Sequence, residues 1–235
     1  MIDFSKYRVI ELSVELCPTI FTLDGIRHDA FPSTDMDWNQ TVEYSGGAKR
    51  LILRQIRYPD MDFNELVDME AHLGTHAECG KHLDYDHQDI ADYPVETWFG
   101  EACVMDFTDK KPTPDGDRYE LKPKDFAKVK EGDIVLIKSS LPYNEAPTMT
   151  MEAAQYLIDK KVKQIGGLEP FSGVIGTGEL RDVHHLFHRS HMVLLQGIVN
   201  LDKITKDRVM FFGFPMRIKG LDACNVRAVV LEEKD

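Results

Sequence analysis

Cysteine is scarce in this sequence and long hydrophobic runs are missing. The four cysteines, Cys17, Cys79, Cys103 and Cys224, lie far apart and form no CxxC pair. In a chain of 235 residues this pattern favours reduced thiols in the cytoplasm over a disulfide framework. No apolar run approaches the roughly 18 residues that a membrane span needs. Charges also stand where a signal peptide would be apolar. We therefore expect a cytoplasmic protein without a membrane partner.

Basic residues are also fewer than acidic residues. The chain has 28 Lys and Arg against 40 Asp and Glu, which gives a formal net charge of -12. A nucleic-acid-binding protein needs a basic face to neutralise phosphates, so this class of partner is disfavoured. The hydrophobic share of 43% and the charged share of 29% lie near globular averages, which disfavours disordered and fibrous classes.

The pattern of apolar residues predicts a strand-rich fold with few helices. A helix is predicted over residues 151–161, with Thr150 as its N-cap, and a second over residues 182–191. This mixture indicates an α/β or α+β fold with a sheet as the scaffold. Residues 110–117 read as a polar loop rather than a linker, so a single domain over 1–235 is the simpler interpretation. Six predicted strands cover residues 8–12, 102–107, 133–137, 192–199, 209–214 and 226–231.

The segment 67–82 carries the densest set of chemically useful side chains. Apolar and polar residues alternate over 67–72, which predicts a half-buried strand with His72 at its end. Gly74 and Thr75 would then turn the chain so that His76 returns beside His72. Functional sites commonly form where strands give way to loops.

Two imidazoles and one carboxylate fall within seven residues here, at His72, His76 and Glu78. Such a set can hold a divalent cation and leave positions open for water and substrate. His82 is placed to act as a general base. The alternative is a group of polar surface residues, since an HxxxH pair alone is a weak signal. Gly74 between the two histidines, followed by the carboxylate, favours metal binding.

A second histidine cluster lies in the predicted helix 182–191. His184, His188 and His191 would share one helix face at spacings of four and three residues. For His185, His188 and His191 the simpler interpretation is a solvated polar face.

The sequence resembles the cyclase family of metal-dependent hydrolases, which includes kynurenine formamidase and isatin hydrolase. The family motif HxGTHxDxPxH appears here at residues 72–82 as HLGTHAECGKH, with Glu78 in place of Asp and Gly80 in place of Pro. Further matches follow the order of the family along most of the chain. They lie at residues 11–13, 132–140, 152–158, 162–169, 214–220 and 226–228.

This resemblance implies a fold, an activity and an assembly. The expected fold is α/β: a single-domain, swivelling β/β/α-type, cyclase-like fold with a strand-rich core and few helices. The expected activity is hydrolysis of an amide, lactam, lactone or formamide bond of a small molecule by a metal-activated water, with His82 as the general base. Family members form dimers or tetramers, so a homodimer or homotetramer is expected.

The resemblance also selects residues outside the motif. Many members place a His twelve residues before a metal-binding Glu, which precedes an Asn-Leu-Asp. Here Asn200 sets that register, so His184 and Gln196 match the two positions. The neutral Gln196 favours a single Mn2+ or Zn2+ ion, held by His72, His76, Glu78 and Gln196 as in isatin hydrolase, with His184 assisting catalysis. The family's later Asp and Ser correspond to Glu169 and Ser172.

Two other functions share these residues. A metal-containing sensor would bind a ligand without cleaving it, and a cyclase or dehydratase would act on a carbonyl substrate without adding water. The segment 17–25 departs from the family pattern around the substrate pocket, so a kynurenine-type specificity is not carried over.

Overall fold

A computed structural model describes residues 3–16, 19–21, 27–29, 51–57, 63–83, 88–113, 116–141, 145–167 and 179–234. The chain divides into two compact units, the first formed by Met1–Val14 with Thr75–Asp235 and the second by Glu15–Gly74. The single-domain interpretation of residues 1–235 stays a prediction.

Strands dominate the described part of the chain, as the sequence predicts. Its two α-helices are α1 (Met151–Asp159) and α2 (Glu179–Arg189), and short 3-10 turns include Gly80–His82. The strands are β1 (Tyr7–Glu11), β2 (Thr19–Phe21), β3 (Arg27–Asp29), β4 (Leu51–Arg57), β5 (Phe63–Met69), β6 (His76–Glu78), β7 (Phe99–Asp106), β8 (Glu120–Leu121), β9 (Ile134–Lys138), β10 (Thr148–Met149), β11 (Gln164–Gly167), β12 (Val193–Gln196), β13 (Arg208–Pro215) and β14 (Ala223–Glu233).

Seven strands of the first unit close into a ring. Their order is β14-β13-β7-β9-β11-β12-β6, and β6 pairs again with β14. The four strands from β7 to β12 in this order run parallel, whereas β6, β14 and β13 join them by antiparallel pairs. Closure removes the exposed edges that an open sheet of this size would present.

The long strand β14 shares one of its edges between two partners. Residues 223–225 pair with β6, and residues 229–233 pair with β1. Between these two stretches the amide of Val226 donates to the carbonyl of Thr75, and the hydroxyl of Ser13 accepts from the amide of Ala228. Strand β6 can therefore be short, because its neighbours continue along the same edge.

Side chains of the ring alternate between two hydrophobic cores. Ala102 and Val104 of β7 belong to one core, whereas Cys103 and Met105 pack in the other, together with residues of both helices. Successive side chains of residues 134–137 in β9 point to opposite faces of the sheet, and all four are fully buried. This is the pattern of a parallel strand covered on two sides.

The start of α1 agrees with the prediction, and the ends of both helices differ from it. The Thr150 side chain accepts from the amide of Ala153, which confirms the predicted N-cap of α1. The predicted ends at residues 161 and 191 extend two residues too far, because Lys161 and His191 have φ angles of 54° and 59°. A left-handed residue after the last turn closes a helix. His191 therefore lies outside the helical face assigned to it.

The second unit contains a four-stranded sheet of order β3-β2-β4-β5. The strand predicted over 67–72 is wrong in its bounds, because β5 covers Phe63–Met69 and His72 lies in the turn that follows. Gly74 has a φ of 60°, which agrees with the bend expected there, since glycine adopts this conformation without strain.

The six predicted strands all match observed strands, with shifts at their ends. The strand predicted over 192–199 runs three residues too far, because β12 stops at Gln196 before Gly197, which has a φ of 65°. The structure adds strands that the apolar pattern alone does not predict, including the three residues of β6. Among the described residues, no helix is both long and apolar enough to cross a bilayer.

A buried carboxylate at Glu232 joins the two ends of the first unit. Its side chain is 1% exposed and accepts hydrogen bonds from the amides of Thr205 and Lys206, at 2.7 and 3.0 Å, and from Arg8 Nε at 2.7 Å. Burial acts to raise the pKa of Glu232, but these donors outweigh it and hold the pKa below the usual value.

We predict that Glu232→Gln lowers the free energy of unfolding at pH 7 by about 3 kcal/mol, since a buried, charge-assisted set of hydrogen bonds is weakened. A depressed folded-state pKa contributes stability that is present above the unfolded-state value and is lost as the pH falls through the folded-state value. The difference between variant and wild type should therefore shrink in acid, as measured by urea unfolding. Glu233→Gln, at the exposed neighbouring position, is the matched control. An equal deficit at both pH values would contradict the prediction.

Candidate functional site

Thr75 fixes the start of β6. Its hydroxyl donates to the carbonyl of Gly197 and accepts from the amide of Val14 at 3.0 Å, while its carbonyl accepts from Val226. The residue is buried. One threonine thus joins three segments immediately before the strand, which explains the need for a small hydroxyl residue at this position of the motif.

Strand β6 presents two polar side chains on the same face. His76 and Glu78 alternate with Ala77, which packs into one of the ring's cores. Gln196 of β12 is the register partner of His76 across the antiparallel pair. Facing residues of such a pair project from the same side of the sheet, so His76, Glu78 and Gln196 share a face.

The Glu78 carboxylate lies among histidines although it is only 4% exposed. Its Oε1 atom is 3.7 Å from His76 Nε2, and its Oε2 atom is 3.4 Å from His184 Nε2. Gln196 Nε2 donates to Oε2 at 2.7 Å. In this arrangement the amide nitrogen of Gln196 faces the carboxylate.

Helix α2 brings two imidazoles to the same carboxylate. His184 and His188 lie one turn apart, and their Nε2 atoms are 2.9 Å from each other. His188 Nε2 is also 3.6 Å from Glu78 Oε2. Because α2 covers this face of β6 and β12, the site lies outside the ring and beneath the helix.

The interpretation of His188 as part of a solvated polar face is wrong. The residue is 0% exposed, and burial lowers its pKa to about 4 despite the opposing effect of Glu78. The ring is therefore neutral at neutral pH. Its Nδ1 atom has no hydrogen-bond partner among the described residues, so the polar contacts of the ring run through Nε2.

His82 pairs with an acid that the sequence did not single out. In the 3-10 turn Gly80–His82, its Nδ1 atom lies 2.8 Å from Asp222 Oδ2, and both side chains are about one third exposed. The backbone holds Asp222 in place, because its carbonyl accepts from both the amide and the thiol of Cys79, at 2.9 and 3.1 Å. Because it faces a carboxylate, Nδ1 is the ring nitrogen that donates a proton in this contact.

The donor atoms suit a divalent cation. One ligand atom each from Glu78, His82 and His184 all lie within 4.8 Å of one another. A ligand set of imidazole nitrogens and a carboxylate oxygen, without a thiolate, suits Zn2+ or Mn2+. Cys79 does not join it, because burial raises the pKa of its thiol to about 11 and the sulfur donates to a carbonyl. Cys79 is fully buried and belongs to the same hydrophobic core as Ala77.

Other predicted positions lie outside this set. His72 belongs to the second unit, so its role as a ligand stays a prediction. His185 is partly buried and His191 is exposed. Glu169 and Ser172 lie outside the described residues, and within 17–25 only the strand Thr19–Phe21 is described.

Two kynurenine formamidases are similar to this chain in sequence. The one from Erythrobacter litoralis (strain HTCC2594) is 27% identical over 175 residues, covering 72% of this chain and 77% of the relative. The one from Maricaulis maris (strain MCS10) is 24% identical over 178 residues, covering 71% and 79%.

Solved structures show the same fold. Isatin hydrolase A from Labrenzia aggregata, bound to benzyl benzoate, superposes with a TM-score of 0.70 at 18% identity, covering 98% of this chain and 95% of that one. The expected strand-rich, cyclase-like fold with few helices is therefore confirmed.

A family model provides the remaining comparison. The model described as "Putative cyclase" matches residues 10–169, which is more than half of the chain and includes β6 with both of its polar side chains. The three histidines and the carboxylate of the 72–82 motif all lie within this match. The chain belongs to the cyclase family.

Proposed function

We propose that this protein is a metal-dependent hydrolase that cleaves an amide, lactam, lactone or formamide bond of a small molecule, with His82 as the general base. The observation that carries the proposal is a buried carboxylate, Glu78, surrounded by imidazoles, beside a histidine that is oriented by Asp222. The formamidase and isatin hydrolase relatives support this class of reaction.

The proposed cation ligands are His72, His76, Glu78 and Gln196. His76 and Glu78 lie on one face of β6, and Gln196 is the register partner of His76. Rotation of the Gln196 amide would turn its oxygen towards the cation, because amide oxygen and nitrogen occupy equivalent positions. When bound, Zn2+ or Mn2+ polarises a carbonyl and lowers the pKa of water.

His82 is proposed to take the proton from the attacking water and to return one to the leaving group. The Nδ1–H bond to Asp222 fixes the ring, and we assign the role of proton acceptor to Nε2. The same bond stabilises the imidazolium that forms during the reaction, as in other His–carboxylate pairs. A partly exposed base can exchange its proton with solvent between turnovers.

His184, which also lies beside the Glu78 carboxylate, is proposed to assist catalysis. The rings of His82 and His184 have centroids 6.3 Å apart, so a small polar group between them could contact both. Its buried position suits a residue that orients a reacting group rather than one that exchanges protons with solvent.

We expect His76→Ala to lose at least one bound metal ion per chain, since two imidazoles and one carboxylate are the minimum set assigned here. Metal per chain should be measured by inductively coupled plasma mass spectrometry after loading and gel filtration. His185→Gln, which also removes one imidazole, is the matched control and should retain the metal. Unchanged metal content and activity in His76→Ala would overturn the assignment.

Asp222→Asn should reduce kcat by about 100-fold or more, because an amide can stabilise the wrong tautomer of His82 and cannot support the imidazolium. KM and bound metal should change little, and Asp222→Glu should restore part of the rate. Asp202→Asn, at an exposed acid of the same unit, serves as the control. A loss of metal in parallel with the loss of rate would show that Asp222 acts on the cation site rather than on His82.

Hydrolysis can be separated from cyclase, dehydratase and sensor functions by the fate of solvent oxygen. The metal-loaded protein should be incubated with isatin, with the formamide of kynurenine and with a set of lactones in heavy-oxygen water. We expect mass spectrometry to find the label in a new carboxylate of at least one product. Turnover without label would favour a cyclase or dehydratase. Ligand-induced thermal stabilisation without any product would favour a sensor.

A further inference from the structure

We infer that Asp89 is a positioning residue for the proposed reaction, which holds Asp222 in the place where it orients His82. The inference rests on the proposed function, because it takes His82 as the base that Asp222 serves. Asp89 lies outside the 72–82 motif, and its effect on His82 passes through the backbone that carries Asp222.

The Asp89 carboxylate divides its two oxygens between two segments of the chain. Its side chain is 6% exposed. Oδ1 accepts from the amide of Ala91 at 2.9 Å and caps the 3-10 turn Ile90–Asp92. Oδ2 accepts from the amide of Gly220 at 2.7 Å. One buried carboxylate therefore joins this turn to the loop that leads into Asp222.

Gly220 is the point at which that loop turns. Its φ of 94° lies in the left-handed region, which glycine adopts without strain. Its amide is bonded to Asp89, and its carbonyl accepts from Lys81 Nζ at 2.7 Å. Lys81 belongs to the 3-10 turn Gly80–His82. The loop is therefore bonded on one side to the turn that contains the proposed base and on the other side to Asp89.

The two residues after Gly220 are fixed by their carbonyls. The carbonyl of Leu221 accepts from the amide of Ile90 at 3.0 Å. The carbonyl of Asp222 accepts from the amide and the thiol of Cys79. The backbone is therefore bonded at three successive positions that end at Asp222.

The side-chain pair that this backbone positions is open to water. His82 and Asp222 are each about one third exposed, so water competes for the 2.8 Å bond between them. Catalytic rates are sensitive to misplacement of about 1 Å, so the placement of Asp222 has to come from its backbone. Among the side chains that hold this backbone, Asp89 combines burial with charge, and charge-assisted hydrogen bonds are the stronger ones.

Asp89 also has a charged partner that can be removed separately. Lys219 Nζ lies 3.3 Å from Asp89 Oδ2 and 2.6 Å from Asp92 Oδ1. The lysine side chain is exposed, and exposed ion pairs contribute little to stability. Lys219→Gln therefore serves as the matched control, because it removes the ion pair and keeps the bond from Gly220 to Asp89.

The experiment measures kcat, KM and bound metal for Asp89→Ser, with the compound that the wild type hydrolyses fastest. Serine keeps a hydroxyl that can cap the turn Ile90–Asp92, but it lacks the second oxygen that holds Gly220. We expect kcat to fall by about 10-fold or more, with KM and bound metal little changed. Lys219→Gln should keep the wild-type kcat. An unchanged kcat in Asp89→Ser would overturn the inference.

A double-mutant cycle with Asp222→Asn tests whether Asp89 acts through Asp222. In that background Asp89→Ser should lower kcat by less than about 2-fold, because the contact that it supports is already weakened. The same fold loss in both backgrounds would show that Asp89 contributes to the fold in general, and this result would also overturn the inference.

A measurement without turnover separates the inference from the proposed function. In protein labelled with nitrogen-15 histidine, at about pH 8 and thus above the usual histidine pKa, nitrogen–proton correlation spectra show which ring nitrogen of His82 carries the proton. Wild type and Lys219→Gln should show it on Nδ1, whereas Asp89→Ser should give a broadened signal or a mixture of tautomers.

The two results of this spectrum have different consequences. An unchanged His82 signal in Asp89→Ser would overturn the inference and leave the proposed function intact. A changed signal in a protein that hydrolyses none of the tested compounds would contradict the proposed function and leave the link from Asp89 to His82 intact.

Discussion

Hydrogen bonding along both edges of β6 is the constraint on which the described site depends. The strand has three residues, yet it closes the ring by pairing with β12 on one side and with β14 on the other. Because the backbone of these residues is fixed from two directions, alternation alone sends Ala77 into a core and His76 with Glu78 to the opposite face. Helix α2 then covers that face with two further imidazoles. The scaffold and the site are therefore built from the same hydrogen bonds.

The site contains two carboxylates in opposite environments, one buried and one partly exposed to solvent. Glu78 is buried among imidazole rings, where its charge is poorly solvated and where a cation would be strongly favoured. Asp222 is about one third exposed and bonded to His82, where water reduces the strength of its charge. The buried acid is suited to holding a cation, and the exposed acid is suited to orienting a base that must exchange protons. His82 lies near both of them: its Nδ1 atom contacts Asp222, and one of its ring nitrogens lies within 4.8 Å of a Glu78 oxygen.

The parts of this structure that follow from the sequence are those that local rules determine. Alternating apolar residues gave the long strands, and Thr150 gave the start of α1. The residues missed depend on long-range packing. Asp222 meets His82 across 140 residues of chain, and no spacing rule connects them. His188 is followed by the exposed Arg189 at the end of its helix and by the exposed His191 just beyond it, and periodicity alone does not say which face of such a helix lies against a sheet. The three residues of β6 are too few to show a period.

The shortness of β6 also affects which genetic changes the protein can accept. Substitutions within residues 76–78 leave the register intact, so each can be tolerated or rejected on its own chemistry. A single-residue insertion or deletion between Thr75 and Glu78 would instead exchange the two faces of the strand, placing alanine outside and the carboxylate in an apolar core. Thr75 and the Cys79 amide, bonded at either end of the strand, leave no loop to absorb the change. In this segment a change of length would displace both polar side chains at once, whereas a substitution removes one of them.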